Sequence, residues 1–200
     1  MHAPIQWIAL LLFLSLTGTS RAQAKLKDSP YYPMQVGCRW TYRLDDGKYV
    51  QTVTKHELLG GALWALVESE SSGKVKSREH IAPAADGVYR RSFGAMIPIP
   101  AESPVCILRL PAKKGETWTV DTKIAGQRVQ GTYILGDDEI TVPAGKFKTL
   151  TVTTNDTMIG NQKTTGTAWY AAGVGKVKEL INYGGTEVVL ELEKFEPGKP

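Results

Sequence analysis

The sequence alternates apolar and polar residues with the period of a β-strand. Every second residue from Trp40 to Leu44 and from Val188 to Leu192 is apolar, and Trp118–Ile124 follows the same pattern except at Thr122. Successive side chains of a strand point to opposite faces, so each segment has one apolar and one wet face. No segment keeps a 3.6-residue apolar period, so we expect helix to be a minor component. The pattern predicts antiparallel sheet that is packed on one side.

Turn signals divide the chain into short segments that are rich in Val, Thr, Tyr, Trp and Ile. Asp45–Gly47 has the D-G signature of a hairpin turn, Pro143–Gly145 that of a type II turn, and Gly184–Gly185 marks the last turn. Short segments with this composition and spacing are typical of all-β proteins. We therefore predict an all-β, antiparallel fold of about 10–13 strands, forming a strongly curved sheet, an incomplete barrel or a sandwich.

One strand opening, P-x3-G-x2-W-T, occurs twice. It reads PMQVGCRWTY at Pro33–Tyr42 and PAKKGETWTV at Pro111–Val120. We interpret this as a duplication with pseudo-repeats 30–93 and 105–196, joined by a proline-rich, strand-free crossover at 94–104. Pairing of two copies would cover a sheet edge that a single copy leaves open. Chance likeness between two Trp-Thr strands is the alternative.

The N-terminus resembles a targeting signal. Ile8–Leu16 is apolar but shorter than the roughly 20 residues that a membrane span needs. Ala22–Ala24 offers an A-x-A cleavage pattern, although only His2 precedes the apolar segment as a basic residue. We predict that residues 1–24 are a cleaved secretory signal, with an uncleaved anchor as the alternative. Residues 25–200 would then form a single, soluble β domain without a transmembrane span, periplasmic or secreted.

Charge gives little support for nucleic acid as a partner. The chain has 24 Lys and Arg against 20 Asp and Glu, a formal net charge of +4, and the two signs are interspersed. Such a distribution is typical of a solvated mixed surface, rather than of a patch for nucleic acid or anionic membrane.

The chain has two cysteines, Cys38 and Cys106. An even number in an exported chain favours a disulfide between them, and two buried thiols are the alternative. They lack C-x-x-C spacing, so redox catalysis is not expected.

Three stretches carry a family resemblance: YYPMQVGCRWTYR (Tyr31–Arg43), ITVPAGKFKTLTV (Ile140–Val152) and WYAAGVGKVKE (Trp169–Glu179). Together they resemble secreted proteins of unknown function from planctomycete-like bacteria. More distantly, the chain is similar to the half-barrel superfamily that includes periplasmic lipoprotein carriers. The resemblance implies an antiparallel, strongly curved sheet whose concave face can be apolar. It brings no established catalytic residues.

Motifs of hydrolases and nucleotide-binding enzymes are missing from the sequence. It contains no G-x-S-x-G, H-E-x-x-H, Walker-type loop or G-x-G-x-x-G. The neighbouring pairs His56–Glu57 and Glu79–His80 could meet as a metal site or an acid–base pair, but exposed or core-edge residues are the simpler interpretation. Asp137–Glu139 could bind a hard cation, although a polar turn explains it equally well. We assign no catalytic residue, metal ligand or cofactor.

Aromatic residues are the remaining candidates for binding. Five of them, Trp40, Trp64, Trp118, Trp169 and Tyr170, could line an apolar cavity or stack on a glycan, and filling of a β core is the alternative. Of these we select Trp40, Trp118, Trp169 and Tyr170 as the predicted ligand-binding residues. The sequence therefore favours an exported, non-catalytic binding or interaction module. Its partner would be a small apolar or glycan ligand, or an envelope protein. A hydrolase-type enzyme with a dispersed site is the second hypothesis.

Overall fold

The computed structural model describes residues 26, 28–45, 47–124 and 126–199, so the predicted signal at 1–24 lies outside the described residues. The described residues form twelve strands and no helix, and hence no helix long and apolar enough for a membrane crossing. The strands are β1 (Arg39–Leu44), β2 (Gly47–Leu59), β3 (Ala62–Ser71), β4 (Lys74–Ala84), β5 (Gly87–Gly94), β6 (Ile99–Arg109), β7 (Thr117–Ile124), β8 (Gln127–Val142), β9 (Gly145–Ile159), β10 (Gln162–Ala171), β11 (Gly175–Tyr183) and β12 (Thr186–Glu196).

The strands form one closed antiparallel barrel. Each strand pairs with its neighbours in sequence, and β1 pairs with β12 to close the sheet. This confirms the predicted all-β antiparallel class. The forms that we expected, a strongly curved sheet, an incomplete barrel or a sandwich, are corrected to a closed barrel. Closure leaves the sheet without a free edge.

The pairing of β6 with β7 is the thinnest seam of the barrel. Among the described residues, only Ala101 and Ile124 are registered across it. Pro100 and Pro104 lie in β6, and because proline has no N–H they cannot donate to a neighbouring strand. Of the segment expected to be a strand-free crossover, 94–104, residues 95–98 form the loop between β5 and β6, and 99–104 already belong to β6.

The repeated strand opening precedes β1 in one case and β7 in the other. Trp40 lies in β1 and Trp118 in β7, and each strand is the first of six: β1–β6 and β7–β12. The second half therefore begins at the thin β6–β7 seam. That the two halves arose by duplication stays a prediction.

One end of the barrel is closed by the segment that precedes β1. Tyr32 and Met34 in this segment are buried, at 4% and 1% exposure. The segment is fixed by backbone hydrogen bonds from Gly173 N to Pro30 O (2.6 Å) and from Gly37 N to Val53 O (2.8 Å). We call this the plugged end; β1 begins there. The apolar core lies above the plug, and its largest fully buried side chains include Trp40, Tyr42, Ile81, Leu108, Leu135 and Leu192.

We expect Leu192→Ala to destabilise the barrel by about 3 kcal/mol, because Leu192 is fully buried on β12 opposite Tyr42 of β1 and its truncation leaves a cavity. Leu58→Ala is the matched control: Leu58 is 66% exposed, and its truncation should change the unfolding free energy by less than about 0.5 kcal/mol. Urea unfolding of both variants measures the difference. Equal losses would contradict the placement of β12 against a closed core.

Candidate functional site

Two of the predicted binding aromatics lie in the core at the plugged end. Trp40 is buried, its indole N–H donates to Val174 O at 2.6 Å, and its ring stacks on Phe195 with 5.4 Å between centroids. Tyr170 is buried as well, with its ring 6.0 Å from that of Tyr32. In the described structure both side chains pack against other protein residues.

The other two predicted binding aromatics, Trp118 and Trp169, differ in how deeply they are buried. Trp118 is buried, donates from its indole N–H to Cys106 O at 3.0 Å and stacks on Tyr133. Trp169 is half-buried; its indole N–H reaches Asp138 at 3.2 Å, and Lys178 Nζ lies 5.7 Å from its ring centroid. None of the four aromatics lines either of the two grooves described below. A ligand role for them stays a prediction.

The two cysteines are free thiols in the structure, so the predicted disulfide is not formed. Cys38 precedes β1, where its Sγ donates to Gln35 Oε1 and accepts the Gly198 N–H. Cys106 lies on β6, and four strands separate β6 from β1 along the sheet. Burial raises the pKa of both thiols, which lowers their reactivity.

The structure separates the two His–Glu pairs of the sequence and joins one member of each. Glu57 on β2 meets His80 on β4, with 2.6 Å between Glu57 Oε2 and His80 Nε2. His80 Nδ1 lies 2.7 Å from Ser92 Oγ on β5, because the register places His80 directly opposite Ser92. His56 instead contacts Met34 O, and Glu79 pairs with Arg90. We call the chain Glu57–His80–Ser92 the outer relay.

The outer relay has the components of a general-base-activated nucleophile, a carboxylate, a histidine and a hydroxyl in sequence. However, Ser92 is only 2% exposed and His80 only 6%, so a substrate has no access to the hydroxyl in this conformation. Hydrogen bonds from Lys55 and then from His80 hold the pKa of the Glu57 carboxyl below its usual value. In this state the relay satisfies buried polar groups and holds β2, β4 and β5 together.

An apolar groove lies beside the outer relay, towards the plugged end. Trp64 is the cross-strand partner of Glu57, and Ala82 follows His80 by two residues, so relay and groove are adjacent. The groove has a volume of about 270 Å³, and the Arg91 guanidinium lies 5.7 Å from the Trp64 ring centroid. We call it the outer groove; its lining residues are Ala62, Leu63, Trp64, Ala82, Pro83, Ala84, Tyr89 and Pro104.

A second groove of about 350 Å³ lies where the plug meets the end of β12. Its lining is mixed: Asp28, Ser29 and Gln35 are polar, whereas Pro33 and Phe195 are apolar. Gln35 Nε2 donates to Asp28 Oδ1 at 2.6 Å, so two of the polar groups already satisfy each other.

Among the described residues, two ion pairs lie in or at the edge of the core. Arg90 Nε donates to Glu79 Oε2 at 2.6 Å, and Lys176 Nζ donates to Glu179 Oε2 at 2.5 Å. The Gln51 amide also reaches Glu79, at 3.4 Å. Each pair is neutral as a unit, which reduces the cost of removing the charges from water.

The tyrosines near these pairs remain neutral. Burial, followed by repulsion from Glu79, raises the pKa of Tyr32 well above its usual value. Burial, followed by repulsion from Glu179, has the same effect on the pKa of Tyr42. Neither phenol is therefore suited to act as a base near neutral pH.

The acidic run at Asp137–Glu139 is engaged by other groups of the chain. Asp137 pairs with Lys114 at 2.7 Å, Asp138 accepts the Trp169 indole N–H, and Glu139 pairs with Lys146. Across the described ranges, no group of three or more His, Cys, Asp or Glu side chains is placed to hold a metal ion.

Sequence reasoning missed Ser92 and the outer groove. Ser92 becomes visible only through the β4–β5 register, which no local pattern gives. Trp64 was considered with the other aromatics but was not selected, and Tyr89 was not singled out, because the alternation does not reveal which face of a strand forms the inside of a barrel. The run of Ala and Pro at Ala82–Ala84 was the available signal, because small side chains between large ones leave space on a surface.

Comparison with known proteins gives structural matches alone. Neither a protein-family model nor a curated protein matches the sequence. A candidate lipoprotein from Parabacteroides distasonis is similar in structure, with a TM-score of 0.51 and 14% identity over 85% of this chain and 100% of that chain. A candidate exported protein with a YmcC-like fold from Bacteroides fragilis has a TM-score of 0.53 and 14% identity over 84% of this chain and 100% of that chain. At this identity the similarity concerns the fold.

We expect Glu57→Gln to lower the unfolding free energy by about 1 kcal/mol at pH 7, because the charge that Lys55 and His80 bind is lost. The pKa of Glu57 is depressed in the folded chain, so its contribution is present above the usual value of 4.5 and is lost as the pH falls through the folded pKa. The difference between wild type and variant should therefore shrink as the pH falls below 4.5.

Urea unfolding at a series of pH values measures this difference. Glu70→Gln serves as the control, because Glu70 forms no ion pair among the described residues. A difference between wild type and Glu57→Gln that stays constant down to strongly acidic pH would contradict an ionised Glu57 in the outer relay.

Proposed function

We propose that the protein is an exported, non-catalytic binding module that holds an apolar ligand in the outer groove. The observation that carries this proposal is the groove itself. Trp64, Tyr89 and Pro104 converge there with small alanines on the outer face of the barrel. An apolar concavity with few polar groups is the usual form of a small-ligand site.

The size and chemistry of the groove favour an apolar ligand over a glycan. Its volume of about 270 Å³ is below the range of sites that enclose a whole drug-sized ligand. It suits part of a ligand, such as the end of an acyl chain or one or two apolar side chains of an envelope protein. Arg91 above Trp64 supplies a positive charge at the rim for an acidic head group.

The filled core supports an outer rather than an inner site. Trp40, Tyr42 and Leu192 are each at most 1% exposed, and they occupy the space that an open curved sheet would offer to a ligand. Close packing of this kind leaves no room for a guest beside these three side chains unless they are displaced.

Export is supported by two independent observations. Residues 1–24 have the pattern of a secretory signal. The solved proteins of similar fold include a candidate lipoprotein and a candidate exported protein. We therefore place the mature protein in the periplasm or outside the cell. Membership of the planctomycete-like group stays a prediction.

A hydrolase is the second candidate function, and the outer relay is the observation that favours it. The relay lies beside the outer groove, where an acyl chain would bring an ester bond close to His80 and Ser92. Catalysis would require the surface above Ser92 to open, because its hydroxyl is buried. Burial of the nucleophile makes binding without reaction the better supported function.

We expect Ala84→Trp to weaken binding of the apolar fluorophore ANS at least about tenfold, because the larger side chain fills the outer groove. Ala144→Trp is the matched control: Ala144 is also exposed, on the turn between β8 and β9, and does not line the groove. Fluorescence titration measures both variants. Equal affinity of Ala84→Trp and wild type would contradict the proposed site.

Covalent labelling of the wild-type protein and of Ser92→Ala distinguishes the hydrolase hypothesis from binding without reaction. A fluorophosphonate probe that attaches covalently to activated serines should leave Ser92 unlabelled, because the hydroxyl is 2% exposed. Labelling that is lost in Ser92→Ala would instead identify Ser92 as a nucleophile and favour the enzyme.

A further inference from the structure

The loop between β5 and β6 exposes a cluster of large apolar side chains. Met96 is 80% exposed and Ile97 75%, and they are flanked by Phe93 at 45% and Ile99 at 42%. Single exposed apolar residues are common on protein surfaces, but four within seven consecutive residues form a contiguous patch. We call Phe93–Ile99 the apolar loop. It lies at the end of the barrel opposite the plug, since β5 ends and β6 begins there.

Contacts within the protein fix the shape of the apolar loop. Arg78 Nη1 donates to the Met96 carbonyl oxygen at 2.5 Å, while Arg78 Nε donates to Glu68 at 2.7 Å. The Arg90 guanidinium lies 5.8 Å from the centroid of the Phe93 ring. At Gly94 the loop folds back so closely that a Cβ would collide with the Ile97 carbonyl oxygen. A defined backbone thus presents Met96 and Ile97 at the tip of the loop, whereas Phe93 and its cross-strand partner Ile99 lie at the base of the loop, on the face of the sheet that also carries Glu79.

Unpaired positive charge lies next to the apolar loop. Lys74 and Lys76 are exposed at the start of β4, the strand that pairs with β5, and neither forms an ion pair among the described residues. Of the carboxylates nearby, Glu68 is paired with Arg78 and Glu102 with Lys123.

One further carboxylate, Glu70, is half-buried on β3 opposite Val75. It offsets one of the two lysines at most. The surface around the apolar loop therefore combines protruding apolar tips with a local excess of positive charge.

We infer that the apolar loop docks the protein on an anionic lipid bilayer. Met96 and Ile97 would insert into the interface between head groups and acyl chains, and Lys74 and Lys76 would meet the lipid phosphates. Apolar tips flanked by Lys or Arg are the chemistry of interfacial membrane binding. A bilayer satisfies both features at once, whereas a protein partner would need an apolar pocket with an acidic rim.

This docking gives the barrel a definite orientation. The apolar loop lies at one end, and the outer groove lies towards the plugged end, around Trp64 and Ala84. A barrel that stands on a membrane by its loop would keep the outer groove accessible from the aqueous side. The inference does not depend on what the outer groove binds.

Vesicle binding of the full chain tests the inference. The probe is a vesicle of equal parts phosphatidylglycerol and phosphatidylcholine, compared with pure phosphatidylcholine, in a sedimentation assay. We expect Met96→Ser/Ile97→Ser to lower the partition coefficient at least about tenfold. Lys74→Gln/Lys76→Gln should lower it about fivefold per lysine on the anionic vesicles at low salt, and leave binding to phosphatidylcholine unchanged.

Leu58→Ser is the matched control, because Leu58 is 66% exposed near the plugged end and should not affect binding. All variants share the same N-terminal segment, so differences among them report on the loop. Binding of Met96→Ser/Ile97→Ser that equals wild type, with an unchanged circular dichroism spectrum, would overturn the inference.

A second measurement locates the contact. An environment-sensitive dye on Ile97→Cys should shift to the blue on anionic vesicles, and the same dye on Leu58→Cys should not. The native thiols do not interfere, because Cys38 and Cys106 are buried. Absence of a shift at Ile97→Cys would overturn membrane insertion and point to a protein partner at this loop.

Discussion

The pairing of β1 with β12 is the interaction on which the rest of the structure depends. Two side chains of β1 reinforce it by reaching past β12: Trp40 donates to Val174 O and Tyr42 donates to Lys176 O at 2.9 Å. On the outer face, Glu191 of β12 pairs with Arg43 of β1 and Lys178 of β11. Hydrogen bonds from Lys178, which has the larger effect, and from Arg43 hold the pKa of the Glu191 carboxyl below its usual value. Without this closure the sheet would have two free edges, and its inner face would be open to a ligand.

Local patterning predicted the strands but not their closure. The alternation at Trp40–Leu44 and Val188–Leu192 is the same whether the two strands pair with each other or end an open sheet, because each strand needs only one buried face. The pairing joins residues near opposite ends of the chain, which no local signal specifies. The prolines of β6 led to a wrong prediction, because we expected a strand-free crossover where the structure has a strand. β6 accommodates Pro100 and Pro104 because, among the described residues, only one pair is registered between β6 and β7.

The candidate sites could be predicted from the sequence only in part, because they too depend on which strands pair and in which register. Glu57 and His80 were singled out as residues that could meet, but Ser92 required the register of β4 and β5. The segment that contains Met96 and Ile97 was interpreted from its prolines as a connection. Its apolar residues were a signal that we overlooked. A loop on the surface needs no Met or Ile for its own structure, so their presence indicates a contact outside the loop.

Closure of the barrel is the central claim, because it removes the open concave face that a curved sheet would offer and leaves the outer groove and the apolar loop as the proposed sites. Native-state amide hydrogen exchange, resolved by residue, tests it most directly. We expect the amides shared by β1 and β12 to exchange as slowly as those shared by β8 and β9, and the thin β6–β7 seam to exchange faster. Rapid exchange between β1 and β12, with β8 and β9 still protected, would contradict the account. It would show an open curved sheet whose inner face is free to bind.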